Sequence, residues 1–376
     1  MVLKKKVPVY VFAIVLLILG SLSLTHASFP KVMSASTINV PEDYATIQWA
    51  IGNATAGDTI FVKAGTYYEK VVIAKSLTLK GAGSDITIID GGGTRTGVKI
   101  TADNVNVSGF MIRNGGDGVH LYGCNGVIVS GNKITLNRNC GIYVESASGS
   151  TIYGNTITSN GVDGLFIESS SGNTISDNVM ASNAFDGVYL YYSSNNTVSG
   201  NTITSHINMP AIELEGSGSN TIRNNTVSSN KFGISLHGGS NDNTIVGNTI
   251  SNSTYVGVEL YSSGYNAFYH NNFNNTNQVY PSGANVWDDG YPSGGNYWSD
   301  YNGTGSYVID DYNQDHYPLI NPYDETKPVA DAGPDQLVLN GTTVTFDGSE
   351  STDNLGIANY TWTFTDNTPQ VLTGVK

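Results

Sequence analysis

Charge is what this chain has least of: only 13% of its 376 residues are Asp, Glu, Lys or Arg. Disordered chains carry high net charge and few β-branched residues. A composition rich in Asn, Ser, Thr, Gly, Val, Ile and Tyr therefore excludes disorder and points to a β-rich fold with many turns. Basic residues are the scarcer sign, 17 against 31 acidic ones, for a formal charge of −14. Such a surface repels phosphate backbones, which excludes nucleic acid as a partner. The two cysteines, Cys124 and Cys140, are too few for a disulfide framework. The repeat described below sets them near opposite ends of neighbouring coils, which argues against a bridge. No apolar run after Leu19 is long enough to span a bilayer, so no membrane span is expected once the leader is removed.

The leader itself reads as an export signal over residues 1–27. Lys4–Lys6 form a basic start, Val7 to Leu19 an apolar run broken only by Pro8, and Thr25-His26-Ala27 offers small residues for cleavage. Its loss takes the three lysines with it and moves the formal charge from −14 to −17. A secreted or cell-surface location is the expectation.

What is abundant is repetition. Gly154-Asn-Thr-Ile157, Gly200-Asn-Thr-Ile203 and Gly247-Asn-Thr-Ile250 recur with variants between them. The aligned asparagines Asn132, Asn155, Asn178, Asn201, Asn225, Asn248 and Asn271 are spaced 23, 23, 23, 24, 23 and 23. In the same register run Gly118-Val-His-Leu, Gly141-Ile-Tyr-Val, Gly164-Leu-Phe-Ile, Gly187-Val-Tyr-Leu, Ala211-Ile-Glu-Leu, Gly233-Ile-Ser-Leu and Gly257-Val-Glu-Leu. A third element is the Asn-Thr-Ile/Val triplet at Asn173, Asn196, Asn220 and Asn243. Each period thus holds three short strands with apolar residues at alternate positions, parted by Gly, Ser and Asn turns. A unit this short cannot bury its own apolar face; parallel stacking buries one continuous column of Ile, Val and Leu. Helical repeats are excluded because no 3.6-residue period survives the turns, and the leucine-rich signature is absent. The expectation is all-β: a parallel β-helix with three strands per coil.

The asparagine rows at Asn155, Asn178, Asn201, Asn225 and Asn248, and at Asn137, Asn160, Asn183 and Asn230, are expected to be structural ladders, since stacked amides bond to one another and to turn backbone. Both ends of the stack need covering. Ile47, Ala50 and Ile51, at helical spacing within Tyr44–Ala54, predict a short amphipathic lid at the start. The Gly-, Asn-, Tyr- and Trp-rich segment after Phe273, with Trp287, Tyr297, Trp298 and Tyr301, predicts a closing cap to about Tyr323.

The opening stretch Ile38-Asn-Val-Pro-Glu-Asp-Tyr-Ala-Thr-Ile-Gln48, Gly57-Asp-Thr-Ile-Phe-Val62, Gly65-Thr-Tyr67, Glu69 and Leu77-Thr-Leu-Lys-Gly81 resembles the start of pectin-lyase-fold β-helix proteins. The Gly-Asn-Thr-Ile coils are similar to NosD-type (CASH) repeats. Gly294-Gly-Asn-Tyr-Trp-Ser-Asp-Tyr301 and Asp315-His-Tyr-Pro-Leu319 resemble that family's closing motif. The resemblance covers residues 37–323 and implies a right-handed β-helix in an extracytoplasmic surface protein. After a linker at 324–329, Ala330-Asp-Ala-Gly-Pro-Asp335, Val344-Thr-Phe-Asp-Gly-Ser349 and Tyr360-Thr-Trp-Thr-Phe364 resemble a PKD-type immunoglobulin-like domain. Val344, Phe346, Trp362 and Phe364 alternate as inward sandwich residues. Residues 330–376 are short for a β-sandwich of about 100 residues, so an incomplete domain is expected.

Alternation on the Gly-led strand sends two columns outward. One is His120, Tyr143, Phe166, Tyr189, Glu213, Ser235, Glu259; the other is Tyr122, Glu145, Glu168, Tyr191, Glu215, His237, Tyr261. Asp117, Asp163 and Asp186 precede the strands. Aromatic faces stack on sugar rings, and carboxylates accept sugar hydroxyls or hold a cation such as calcium. The expected ligand-binding residues are Tyr122, Tyr143, Glu145, Phe166, Glu168, Tyr189, Tyr191, Glu213 and Glu215. The same aromatics would also stabilise an exposed sheet face by neighbouring-strand pairing.

For catalysis, Lys133, Arg138, Arg223 and Lys231 fall outside both columns, so a polyuronate lyase, which needs such a base, is not the expectation. Glycoside hydrolysis needs two carboxyls, and Glu145 with Glu168 or Asp163 with Asp186 are the candidate pairs. Copper, which the NosD name brings with it, wants clustered His, Met or Cys, and the histidines are dispersed. The expectation is a protein without a cofactor, calcium aside, that presents an aromatic and acidic ladder to polysaccharide or surface glycan without cleaving it. A polysaccharide-degrading enzyme and a structural envelope component associated with other envelope proteins are the alternatives.

Overall fold

The computed structural model describes residues 35–93 and 95–324. Beyond these it describes residues 329–331, 333, 339 and 347–352, and the backbone of 361–363 and 371–373. The expected leader, and Val344, Phe346 and Phe364, lie outside the described residues.

Three parallel sheets run the length of the repeat, two of 11 strands and one of 10. Each coil contributes one strand to each sheet in turn, as in Ile128–Ser130, Lys133–Thr135 and Ile142–Glu145. The pairing register follows the repeat: Ile142 lies against Leu165, and Leu165 against Val188. Among the described residues a single helix, Ile47–Asn53, closes the start. Its buried residues are Ile47, Ala50 and Ile51, and Thr46 caps it by accepting from the Trp49 N–H. Glu69 accepts from the N–H groups of Ile47 and Gln48, both at 2.9 Å, satisfying two donors that a helix start leaves free.

Alternation along each strand sends Val119, Leu121, Ile142, Val144, Leu165, Ile167, Val188 and Leu190 into the core, all with no exposure. Full burial of one such aliphatic side chain contributes about 1.5–3 kcal/mol, so every added coil extends the core on similar terms. The glycines that open the third-sheet strands are sterically required. A Cβ at Gly141 would meet Ile157 Cγ2 at 2.4 Å and the Gly164 carbonyl oxygen at 2.7 Å.

The asparagine rows are ladders, as expected. In each, the main-chain N–H and the side-chain Nδ2 of one asparagine donate to Oδ1 of the next. Asn178 does so to Asn201 at 3.0 Å each, and Asn201 to Asn225 at 2.9 and 3.0 Å. The second row has a member that the repeat reading passed over. His206 fills the rung between Asn183 and Asn230: its Nε2 meets Asn183 Nδ2 at 3.2 Å and its Nδ1 meets Asn230 Oδ1 at 3.1 Å. With Asn183 donating, Nε2 must accept, so the imidazole is neutral with its proton on Nδ1. Burial drives its pKa down to about 4.

At the far end, stacked rings seal the core: Phe268 on Trp287 at 4.3 Å, Phe273 on Trp298 at 4.5 Å and Trp298 on Tyr307 at 4.2 Å. Asp315, with no exposure, ends one asparagine ladder by accepting from the Asn296 N–H at 2.7 Å and the Trp298 indole at 2.9 Å. Cys124 and Cys140 are both free thiols. In the C-terminal region, Thr361–Thr363 pairs antiparallel with Val371–Thr373. Among the described residues no helix is long and apolar enough to cross a membrane.

Candidate functional site

The third sheet carries both outward columns, in the register the repeat dictates. His120, Tyr143, Phe166, Tyr189, Glu213, Ser235 and Glu259 pair in succession, and so do Tyr122, Glu145, Glu168, Tyr191, Glu215, His237 and Tyr261. The first column also runs one rung lower, to Lys99 beside His120, with the Lys99 ammonium 4.8 Å from the centre of the Tyr122 ring. Its signal was legible, because Gly97-Val-Lys-Ile100 repeats the Gly-led strand.

The aromatics of the first column stack on one another. His120–Tyr143, Tyr143–Phe166 and Phe166–Tyr189 centroids are 4.6, 5.1 and 5.1 Å apart with planes within 20° of parallel. Tyr143 and Phe166 thereby spend both ring faces on neighbours and present their edges outward. The second column braces the first. Glu145 accepts from His120 Nε2 at 3.0 Å, Glu168 from the Tyr143 hydroxyl, and Glu215 from the Tyr189 hydroxyl at 2.5 Å. Burial lowers the His120 pKa, against the opposing pull of the Glu145 hydrogen bond. Burial and then the carboxylate partner raise both tyrosine hydroxyls. Glu145, Glu168 and Glu215 are therefore engaged in bracing, whereas Tyr122 and Tyr191 keep partly open ring surface.

The open volume lies beside the ladder, at the corner where chain enters the third sheet. There a cleft of about 420 Å³ is lined by Phe166, Tyr189, Phe185, Met209 and Val162 together with Asp163, Asp186 and Glu213. Asn139 and Cys140 close one end. The lining comes from the same turn of four successive coils, which a rise of about 4.8 Å per coil makes roughly 14 Å long, the scale of a short oligosaccharide. The 24-residue spacing falls in the last of these coils, and its turn brings in Met209.

Asp163 and Asp186, one rung apart, are 5% and 4% exposed. Asp163 Oδ1 accepts from the Asp186 main-chain N–H at 3.0 Å, and its Oδ2 lies 3.8 Å from the Cys140 thiol. Asp186 Oδ1 has no hydrogen-bond donor at all. Burial, then the charges of Glu213 and Asp163, hold the Asp186 carboxyl far above the ordinary carboxylate range. Burial likewise raises Asp163 and Glu213. The group retains a proton that free carboxylic acids would have shed. Of the expected site residues, the structure gathers Asp163, Asp186, Phe166, Tyr189 and Glu213 into the cleft. It leaves Tyr122, Tyr143, Glu145, Glu168, Tyr191 and Glu215 on the adjoining ladder. Phe185, Met209 and Val162 are cleft residues that column-counting on the strand passed over, because they belong to the turn.

Comparison with known proteins places the chain among relatives. A family model described as periplasmic copper-binding protein (NosD) matches residues 51–211 and 159–303, and a PKD domain model matches 325–376. A cell surface glycoprotein of Methanothermus fervidus is 31% identical over 121 residues, which is 32% of this chain and 20% of that protein's length. Among solved structures, an alginate lyase from a Paenibacillus species superposes with a TM-score of 0.55 at 20% identity, covering 67% of this chain and 97% of the other. A DFA-IIIase from Arthrobacter chlorophenolicus does so with a TM-score of 0.53 at 16% identity, covering 68% and 95%. At such identities the likeness is one of fold.

Proposed function

This chain belongs to the NosD family, and we propose that it is an extracytoplasmic, surface-exposed β-helix protein that binds polysaccharide in the cleft beside the aromatic ladder, without cleaving it. The observation that carries the reading is the pairing of apolar walls (Phe166, Phe185, Met209, Val162) with a floor of three carboxyls in one elongated, solvent-open groove. A sugar has the matching character: apolar ring faces and a belt of hydroxyls. The relative from Methanothermus fervidus, named as a cell surface glycoprotein, supports the location.

The family description names copper, and the donors among the described residues do not fit it. Among the described residues no three His, Cys, Asp or Glu form a cluster able to hold a metal ion. His120 and His237 bond to Glu145 and Glu259, His206 is a ladder rung, and His316 bonds to Asp288. Copper sites need such groups convergent and free.

The raised acids favour one second reading, a glycoside hydrolase in which Asp186 or Asp163 donates a proton to a leaving group. A glycan array followed by reducing-sugar release and absorbance at 235 nm separates the two. Binding without product is the expected result; product that disappears in Asp186→Asn would establish the hydrolase instead.

A further inference from the structure

Among the described residues Asp186 is the one buried carboxyl with an oxygen that finds no hydrogen-bond partner. It is 4% exposed, lines the cleft, and its Oδ1 finds no donor. Its polar neighbours there, Asp163 and Glu213, are also carboxyls; they take the hydrogen bond of the Asp186 proton and bring no donor to Oδ1. The cleft lining contains no Lys, Arg or His. Ionising Asp186 there is costly, so the empty cleft keeps a proton on it; a positive charge arriving from outside would displace that proton and pair with the carboxylate. The walls decide what kind of donor. Phe166, Phe185, Met209 and Val162 form an apolar surface on the scale of a sugar ring rather than a bare ion. The described residues also offer no metal cluster.

We propose that the cleft selects amino sugars, seating a free protonated amine of the glycan against Asp186 and Glu213 with the sugar ring between Phe166, Phe185 and Met209. An ammonium brings a positive charge, which this floor lacks, and a donor for Asp186 Oδ1, and charge-assisted hydrogen bonds are the stronger kind. An N-acetylated sugar offers one neutral N–H in place of that ammonium. A polyuronate brings further negative charge to an already acidic cleft and is repelled. This inference rests on the glycan-binding reading and sharpens it to a substrate class.

The test is calorimetric titration of the full chain with three probes of equal length: a glucosamine tetramer, its fully N-acetylated counterpart and tetragalacturonate. The glucosamine tetramer is expected to bind roughly tenfold or more tightly than either of the others, a difference of about one decade in Kd. Asp186→Asn and Glu213→Gln, each checked for an unchanged β-sheet spectrum, are expected to erase that preference. Equal or tighter binding of the N-acetylated tetramer or the uronate overturns the amino-sugar inference while leaving glycan binding in place. Undiminished preference in both variants also overturns it. Failure of all three probes, extended by a silent glycan array, removes the glycan reading itself.

Discussion

His206 makes acid stability a test of the ladder. Its imidazole ionises at about 4 when folded against 6.5 when free. The folded state therefore binds fewer protons than the unfolded chain between those two values. Stability from this group is fully present above pH 6.5, is lost as the pH falls toward 4, and changes little below that. Each pKa unit corresponds to about 1.4 kcal/mol, so acidification from pH 7 to pH 4 costs about 3 kcal/mol through this residue alone. The structural reason is that protonated Nε2 would face the Asn183 amide, donor against donor. Turning that amide over would break its 3.1 Å bond to the Ile157 carbonyl. His206→Asn replaces the rung with the residue its neighbours use and cannot titrate. Urea unfolding of both proteins at pH 7 and pH 4 isolates the effect, because every other titratable group is common to the two. The gap between them should shift by about 3 kcal/mol in favour of the variant. A shift below about 1 kcal/mol would refute the assigned tautomer and the ladder's intolerance of charge.

Asn201→Ala should lower unfolding stability by about 3–5 kcal/mol in urea titration. It orphans the buried N–H of Asn178 and the carbonyl of Ile175, which Asn201 serves at 3.0 and 2.9 Å. Asp186→Asn should raise stability at neutral pH by about 1–3 kcal/mol, seen as a higher melting temperature, since the unfolded aspartate sheds a proton that the buried carboxyl must keep, a penalty the amide does not carry. Trp298→Ala should cost about 3–5 kcal/mol and promote concentration-dependent association visible in sedimentation, because it opens the stacked cap over the last coil.

The register was legible in the sequence because a period of 23 forces equivalent residues onto the same rung. Tyr143, Phe166 and Tyr189 are neighbours in space for that reason. Ladder asparagines were legible too, since an inward polar residue at every turn has only its counterparts to bond. His206 was passed over because it breaks the letter pattern while keeping the position, and position is what the ladder reads. Strand periodicity decides which face a side chain takes and is silent on its rotamer. It therefore could not reveal that the rings spend their faces on one another or that Glu145, Glu168 and Glu215 brace them. The cleft was only half legible: Asp163 and Asp186 recur in register, but Phe185 and Met209 sit in turns whose sequence varies from coil to coil.

The most direct measurement is a crystal structure of the protein soaked with an oligosaccharide that it binds in solution. The account predicts sugar density along the turn corner, with a ring against Phe166, Phe185 and Met209 and a donor within hydrogen-bonding distance of Asp186 Oδ1. Density confined to another face, with Asp186 still lacking a donor, would contradict it.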